Sequence, residues 1–83
     1  MPTRITEGAE KQFLALPLPI RNRVANIIER LSHWPEVSGA KPLRNELAGK
    51  FRIRTGDYRV QFYVDPDGNP VIEKIGKRDR FYD

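Results

Sequence analysis

The chain has 83 residues, a formal net charge of +4 and no cysteine. This length suits one small domain, and the lack of cysteine excludes disulfides, thiolate catalysis and cysteine-based zinc sites. Hydrophobic residues make up 39% of the sequence, which favours a folded domain. No apolar run is long enough to span a membrane, and the N-terminus lacks a signal-peptide stretch. We therefore expect one cytoplasmic domain over residues 1–83 that does not bind a membrane. The positive net charge favours a nucleic acid or an acidic protein as its partner.

The first part of the chain predicts a short strand and two helices. Residues 2–5 fit a first strand, and Thr6 fits the N-cap of a helix that stops at Pro17. A second helix begins near Pro19, which suits a first helical turn. Its apolar residues recur every three or four positions: Ile20, Val24, Ile27, Ile28 and Leu31. This spacing forms one apolar stripe, which predicts packing of the helix against a sheet.

The connection after the second helix carries no recognisable metal or cofactor site. His33 is the only histidine, so a metal site would need carboxylates alone to complete it, and no ligand spacing suggests one. Residues 36–43 contain serine, glycine and proline and predict a loop, and a short turn follows at residues 43–47. We therefore expect neither a metal nor a small-molecule cofactor.

Residues 50–64 predict a β-hairpin around which the rest of the fold is organised. Basic and apolar residues alternate up to a Thr-Gly-Asp turn, and β-branched and aromatic residues alternate after it. Successive side chains of a strand point to opposite faces. The register that buries the apolar residues therefore places Arg52, Arg54 and Arg59 together on an exposed sheet face. Two interpretations remain open here, a solvated face and an anion-binding site.

The remaining segments complete an α+β fold. Residues 65–70 are rich in Asp, Gly, Asn and Pro and predict a turn. Residues 71–75 predict a further strand, and residues 76–83 form a second basic cluster beside two aromatics. The predicted order is β-α-α-β-β-β, with a helical pair on one face of a small, mainly antiparallel sheet. The uncovered face of that sheet carries the arginines.

Three segments carry a resemblance to a known family. They are residues 47–54 (LAGKFRIR), residues 56–60 (GDYRV), and residues 75–78 (IGKR) followed by a tyrosine four residues later. Together with the helical pair, they resemble the RelE/ParE superfamily of bacterial toxins over nearly the whole chain. The chain is most similar to the RelE branch, whose members cleave messenger RNA in the ribosomal A site. The resemblance implies a type II toxin–antitoxin system, with a cognate antitoxin and A-site mRNA as partners.

The resemblance also implies which residues form the site. The catalytic residues it implies are Arg52, Arg54, Arg59, Arg78 and Tyr82. The residues expected to bind substrate beside them are Lys50, Lys77 and Arg80. Arg52 and Arg54 stand where the best-known RelE pattern has lysines, and Lys77 stands where many relatives have histidine.

The reaction implied by the resemblance is metal-independent attack of a ribose 2′-OH on the adjacent phosphate. Guanidinium groups suit phosphate binding, but they are rarely neutral and make poor bases. Lys50, Lys77 and Tyr82 are therefore the candidates for the general base. Two other functions remain open, a gyrase inhibitor of the ParE type and a non-catalytic module that binds RNA or an antitoxin.

Overall fold

The computed structural model describes residues 3–77, in which two helices cover one face of a five-stranded sheet. The elements in chain order are β1 (Arg4–Ile5), α1 (Glu7–Leu14), α2 (Leu18–Leu31), β2 (Lys41–Pro42), a 3-10 turn (Asn45–Leu47), β3 (Lys50–Thr55), β4 (Tyr58–Val64) and β5 (Pro70–Lys77). The strand order in the sheet is β1-β5-β4-β3-β2. The β1–β5 pair is parallel and the other pairs are antiparallel. The predicted α+β class and the mainly antiparallel sheet are confirmed.

Both helices begin and end close to the predicted residues. The Thr6 hydroxyl caps α1 by accepting a hydrogen bond from the Ala9 amide at 3.2 Å, which satisfies one of the free N–H groups of the first turn. In α2 the predicted apolar stripe packs on the sheet, where Val24, Ile27 and Leu31 are buried. The helices are therefore fixed by one cap and one apolar stripe, both of which are local features of the sequence.

The loop predicted at residues 36–43 contains a strand that the sequence did not reveal. In this strand, β2, Lys41 pairs with Arg52 and Pro42 pairs with Phe51. Proline cannot donate a ladder hydrogen bond, and an edge strand tolerates that loss. Such a short strand depends on its neighbour β3 rather than on its own propensity.

The hairpin has the predicted register, and its bounds agree except that Thr55, predicted in the turn, ends β3. A two-residue turn at Gly56 and Asp57 joins β3 to β4, and Gly56 has a φ of +59°, which glycine adopts without strain. On the helix-covered face, the apolar residues of the sheet meet those of α2 in one core. Three aromatic rings close one end of this core, and the centroids of Trp34, Phe51 and Phe62 lie 5.0–5.4 Å apart.

A β-bulge interrupts the pairing of β4 with β5. Gln61 pairs with Lys74 and Phe62 pairs with Ile72, so Glu73 is an extra residue on β5. Ile72 and Ile75 are both buried in the core although they are three residues apart. Strict alternation would place Glu73 on the same face as Ile75. The bulge instead turns Glu73 to the face that the helices leave uncovered.

The outer edge of β5 is only partly covered by a strand. β1 pairs with Val71 and Ile72, and the Ile75 amide donates to Gln12 Oε1 of α1 at 2.8 Å. A helix side chain thus takes the place of a strand at this position. Neither helix of the part described, residues 3–77, is long and apolar enough to cross a membrane.

Candidate functional site

The sheet face opposite the helices carries most of the charged side chains of the long strands. We call this surface the basic face, and by strand register and side-chain contacts it comprises Lys50, Arg52, Arg54, Arg59, Gln61, Tyr63, Glu73 and Lys74. Cross-strand partners share a face, so these assignments follow from the pairing itself. The long strands give the face five cationic side chains and one carboxylate, and the edge strands add Lys41, opposite Arg52, and Arg4, opposite Val71.

Three of the cations form a group at the turn end of the hairpin, which we call the arginine cluster: Arg52, Arg54 and Arg59. Arg54 lies directly opposite Arg59, and Arg52 is the next residue on the same face of β3. The Cβ atoms of directly opposite residues lie about 4.5–5.5 Å apart, and like charges at that separation repel each other. The arrangement therefore favours a bound anion, because one phosphate can contact two guanidiniums at once.

The sequence predicted that all three arginines are exposed, and this is wrong for Arg59. Arg54 is exposed and Arg52 is half-buried, whereas only 6% of Arg59 is exposed. The physical reason is that β4 is the central strand of the sheet, so side chains from both neighbouring strands cover it. Gln61 on the same strand is equally hidden, at 5%. Arg59 is therefore enclosed by its neighbours, and Arg54 is the exposed member of the cluster.

A second group of the basic face was missed by sequence reasoning. The Lys50 ammonium donates to Glu73 Oε1 at 3.1 Å and lies 2.9 Å from Oε2. The Gln61 amide donates to Glu73 Oε2 at 2.9 Å. The Glu73 side chain thus crosses the central strand to reach β3. The signal for this contact is weak in the sequence, because the bulge that places Glu73 here depends on tertiary packing.

The remaining candidate residues lie apart from the arginine cluster or beyond the described region. Lys77 is exposed and pairs with Tyr58, so it shares the sheet face that the helices cover. The register therefore separates Lys77 from the three arginines. Arg78, Arg80 and Tyr82, which the sequence assigned to the site, lie outside the described residues. Within residues 3–77, no three His, Asp or Glu side chains are grouped as a metal site would require.

A surface groove of about 360 Å³ lies between the α1–α2 connection and the end of β5. Leu16, Pro17, Tyr58 and Ile75 contribute apolar atoms to it. Leu14 and Leu18, which flank the lining residues 15–17 in sequence, are 58% and 62% exposed. Large apolar side chains exposed beside a groove are typical of protein–protein contacts.

Comparisons with known proteins decide the family. No protein-family model matches the sequence. Toxin RelG of Mycobacterium tuberculosis is 37% identical to this chain, over 83% of the chain and 79% of that protein. This chain belongs to the RelE/ParE toxin superfamily. The resemblance found in the sequence is thereby confirmed.

Solved structures of RelE-family toxins have the same fold. The toxin–antitoxin complex RelBE2 from Mycobacterium tuberculosis contains a chain that is 33% identical, with a TM-score of 0.77 and coverage of 94% of this chain and 100% of that chain. The isolated Escherichia coli RelE toxin also gives a TM-score of 0.77, at 18% identity, over 94% of this chain and 84% of that chain. The second likeness shows the fold alone. The two helices and the hairpin that carries the arginine cluster belong to this common fold.

Proposed function

We propose that this RelE-family chain is the toxin of a type II toxin–antitoxin system and cleaves messenger RNA in the ribosomal A site, in the cytoplasm. The observation that carries the proposal is the arginine cluster, three guanidiniums brought to one sheet face by the hairpin register. Family membership supports the assignment as a toxin, and the arginine cluster supports binding of a phosphodiester. Arginine binds phosphate bidentately and stays charged at every physiological pH.

The proposed reaction is attack of a ribose 2′-OH on the adjacent phosphate. The O2′–P bond forms and the P–O5′ bond breaks, which yields a 2′,3′-cyclic phosphate and a 5′-OH. One proton leaves the 2′-OH and one reaches the departing O5′. Arg52, Arg54 and Arg59 hold the phosphate and stabilise the charge that develops on its oxygens. Preorganised cations serve this purpose best, and the burial of Arg59 holds its guanidinium in one place.

The residues after β5 complete the proposed site. Arg78 stabilises the negative charge on the leaving oxygen, and Arg80 binds the flanking RNA backbone. Of the three candidates for proton transfer, Lys50 is ion-paired with Glu73, and Lys77 shares the opposite sheet face. These placements favour Tyr82 for orienting the 2′-OH and assisting its deprotonation. Lys77 then binds RNA from the rim of the sheet.

The proposed site depends on the ribosome for part of its rate enhancement. Guanidinium groups stabilise charge but accept protons poorly, so the side chains alone do not supply every step. Holding the message in the reactive geometry supplies several kcal/mol that the side chains lack, on the order of 7 kcal/mol or more in favourable cases. We therefore expect little cleavage of free RNA.

We further propose that a cognate antitoxin binds this chain. The 33%-identical relative was solved as a toxin–antitoxin complex. On this chain, the groove beside Leu14 and Leu18 offers apolar surface, and the basic face offers cations for acidic side chains. A partly disordered acidic protein that folds across both surfaces fits this combination.

The experiment that tests the proposal is expression of the chain alone in bacteria, followed by mapping of mRNA ends. Growth arrest with breaks at A-site codons supports the interferase. Arg54→Ala is the matched control, because it removes an exposed charge and no core volume. Arrest with gyrase–DNA cleavage complexes would instead support the ParE-type activity. Normal growth at full expression would leave a non-catalytic binding module as the better account.

A further inference from the structure

Glu73 is the only acidic residue of the three long strands β3, β4 and β5, and it lies on the basic face. Its carboxylate holds the Lys50 ammonium through both oxygens, at 3.1 and 2.9 Å, and it accepts the Gln61 amide at 2.9 Å. The Lys50 and Glu73 side chains are 34% and 20% exposed. Solvent and salt therefore screen this pair less than they screen a surface ion pair.

The ion pair divides the basic face electrostatically. At the Lys50 end, the charges of Lys50 and Glu73 sum to zero, and Arg4, opposite Val71 at the sheet edge, adds one cation. The arginine cluster at the turn end carries three positive charges. Lys41 of β2 adds one opposite Arg52, and Lys74 of β5 adds one opposite Gln61. A phosphate that approached Lys50 would meet the Glu73 carboxylate, whose repulsion acts through a half-buried site.

We propose that Glu73 prevents Lys50, which the family resemblance assigned to substrate binding, from contacting RNA phosphates. The RNA backbone is then confined to the arginine cluster, which sets its register on this face. This inference rests on the proposed function, since it requires that the basic face binds RNA. Gln61 is the positioning residue of the arrangement, because its buried amide fixes the carboxylate over the central strand. Tyr63 lies opposite Lys50, so in this register it contacts a base or a ribose and not a phosphate.

The number of phosphate contacts can be measured through the salt dependence of binding. Each phosphate that a cation neutralises on single-stranded nucleic acid contributes about 0.7 to the slope of log affinity against log salt concentration. The probe is a fluorescent 2′-O-methyl oligouridine, which lacks the attacking hydroxyl and stays intact. Its fluorescence anisotropy gives the binding affinity at salt concentrations between about 50 and 200 mM. The proteins compared are the wild type, Lys50→Met, Glu73→Gln and the double variant. Glu29→Gln removes the same charge from the exposed side of α2 and serves as the matched control.

The proposal predicts that Glu73→Gln steepens the slope by about 0.7, because the released Lys50 gains one phosphate. Lys50→Met leaves the wild-type slope unchanged, the double variant returns to it, and Glu29→Gln does not alter it. A lower slope for Lys50→Met alone would overturn the inference, since Lys50 would already contact phosphate. So would a Glu73→Gln slope equal to that of the wild type, with or without a lower melting temperature. If all the variants bound the RNA equally poorly and without salt dependence, the basic face would not bind the RNA backbone, and the inference would fail; the proposed cleavage on the ribosome is tested separately by mapping mRNA ends.

Discussion

Substitutions of Arg54 and Arg59 can distinguish the effect of a lost charge on cleavage from the effect of lost packing on stability. The two residues lie directly opposite each other on neighbouring strands, yet Arg54 is exposed and Arg59 is only 6% exposed. We expect alanine at either position to reduce cleavage of ribosome-bound message by about 10²–10³, as removal of one stabilising charge contact does. Only alanine at position 59 should also lower the stability of the fold.

The size of that stability difference follows from the burial of Arg59. Truncation to alanine removes two buried methylenes, which contribute about 0.8 kcal/mol each, or about 1.6 kcal/mol together. For a domain of this size, such a loss lowers the melting temperature by about 6–13 °C. Arg54→Ala should change the free energy of unfolding by no more than about 0.5 kcal/mol, as an exposed substitution does.

The assay compares thermal unfolding with single-turnover cleavage on programmed ribosomes. Arg59→Met is the matched control, because it keeps an apolar stem of similar length and removes the charge. It should restore most of the melting temperature and none of the cleavage. Equal losses of stability for the two alanine variants would refute the burial argument. Wild-type cleavage by Arg59→Ala would refute its proposed catalytic role.

Three further predictions address other parts of the molecule. Arg78→Ala should slow cleavage by about 10²–10³ without lowering the melting temperature, and an unchanged single-turnover rate would remove it from the proposed site. Ile27→Ala, at a residue only 2% exposed, should cost about 2–5 kcal/mol in urea unfolding, whereas a loss under about 1 kcal/mol would contradict its place in the core. Co-expression with the product of a small neighbouring reading frame should restore growth and raise the melting temperature of the purified pair. If it does neither, the toxin–antitoxin assignment fails for that neighbour.

The hairpin and the second helix could be predicted because their signals are local. Alternation over residues 50–64 fixes which side chains share a face, and the Thr-Gly-Asp sequence supplies a turn that accepts a positive φ at Gly56. The stripe from Ile20 to Leu31 in the same way defines the buried side of α2. In these segments the local pattern and the tertiary packing lead to the same structure.

The features that could not be predicted depend on contacts between distant segments. Alternation predicts the sheet face on which Arg59 lies. It does not predict how buried the side chain is, because the burial results from the position of β4 in the centre of the sheet. The bulge at Glu73 exists because Ile72 and Ile75 both enter the core, and it reverses the face that alternation assigns. β2 forms only because β3 offers a partner. The burial of a central strand, the position of a bulge and the formation of a short edge strand all depend on contacts with segments that are distant in the sequence.

The hydrogen bond from the Ile75 amide to Gln12 has a consequence for self-association. A bare strand edge is a template on which another chain can add a strand, which begins aggregation. Beyond Ile72, where β1 stops, Gln12 occupies a donor that an incoming strand would need. Gln12→Ala would free that donor, so the chain should form intermolecular β-structure faster at high concentration. The Ile75 amide should also exchange with deuterium sooner than in the wild type, even if the melting temperature hardly changes.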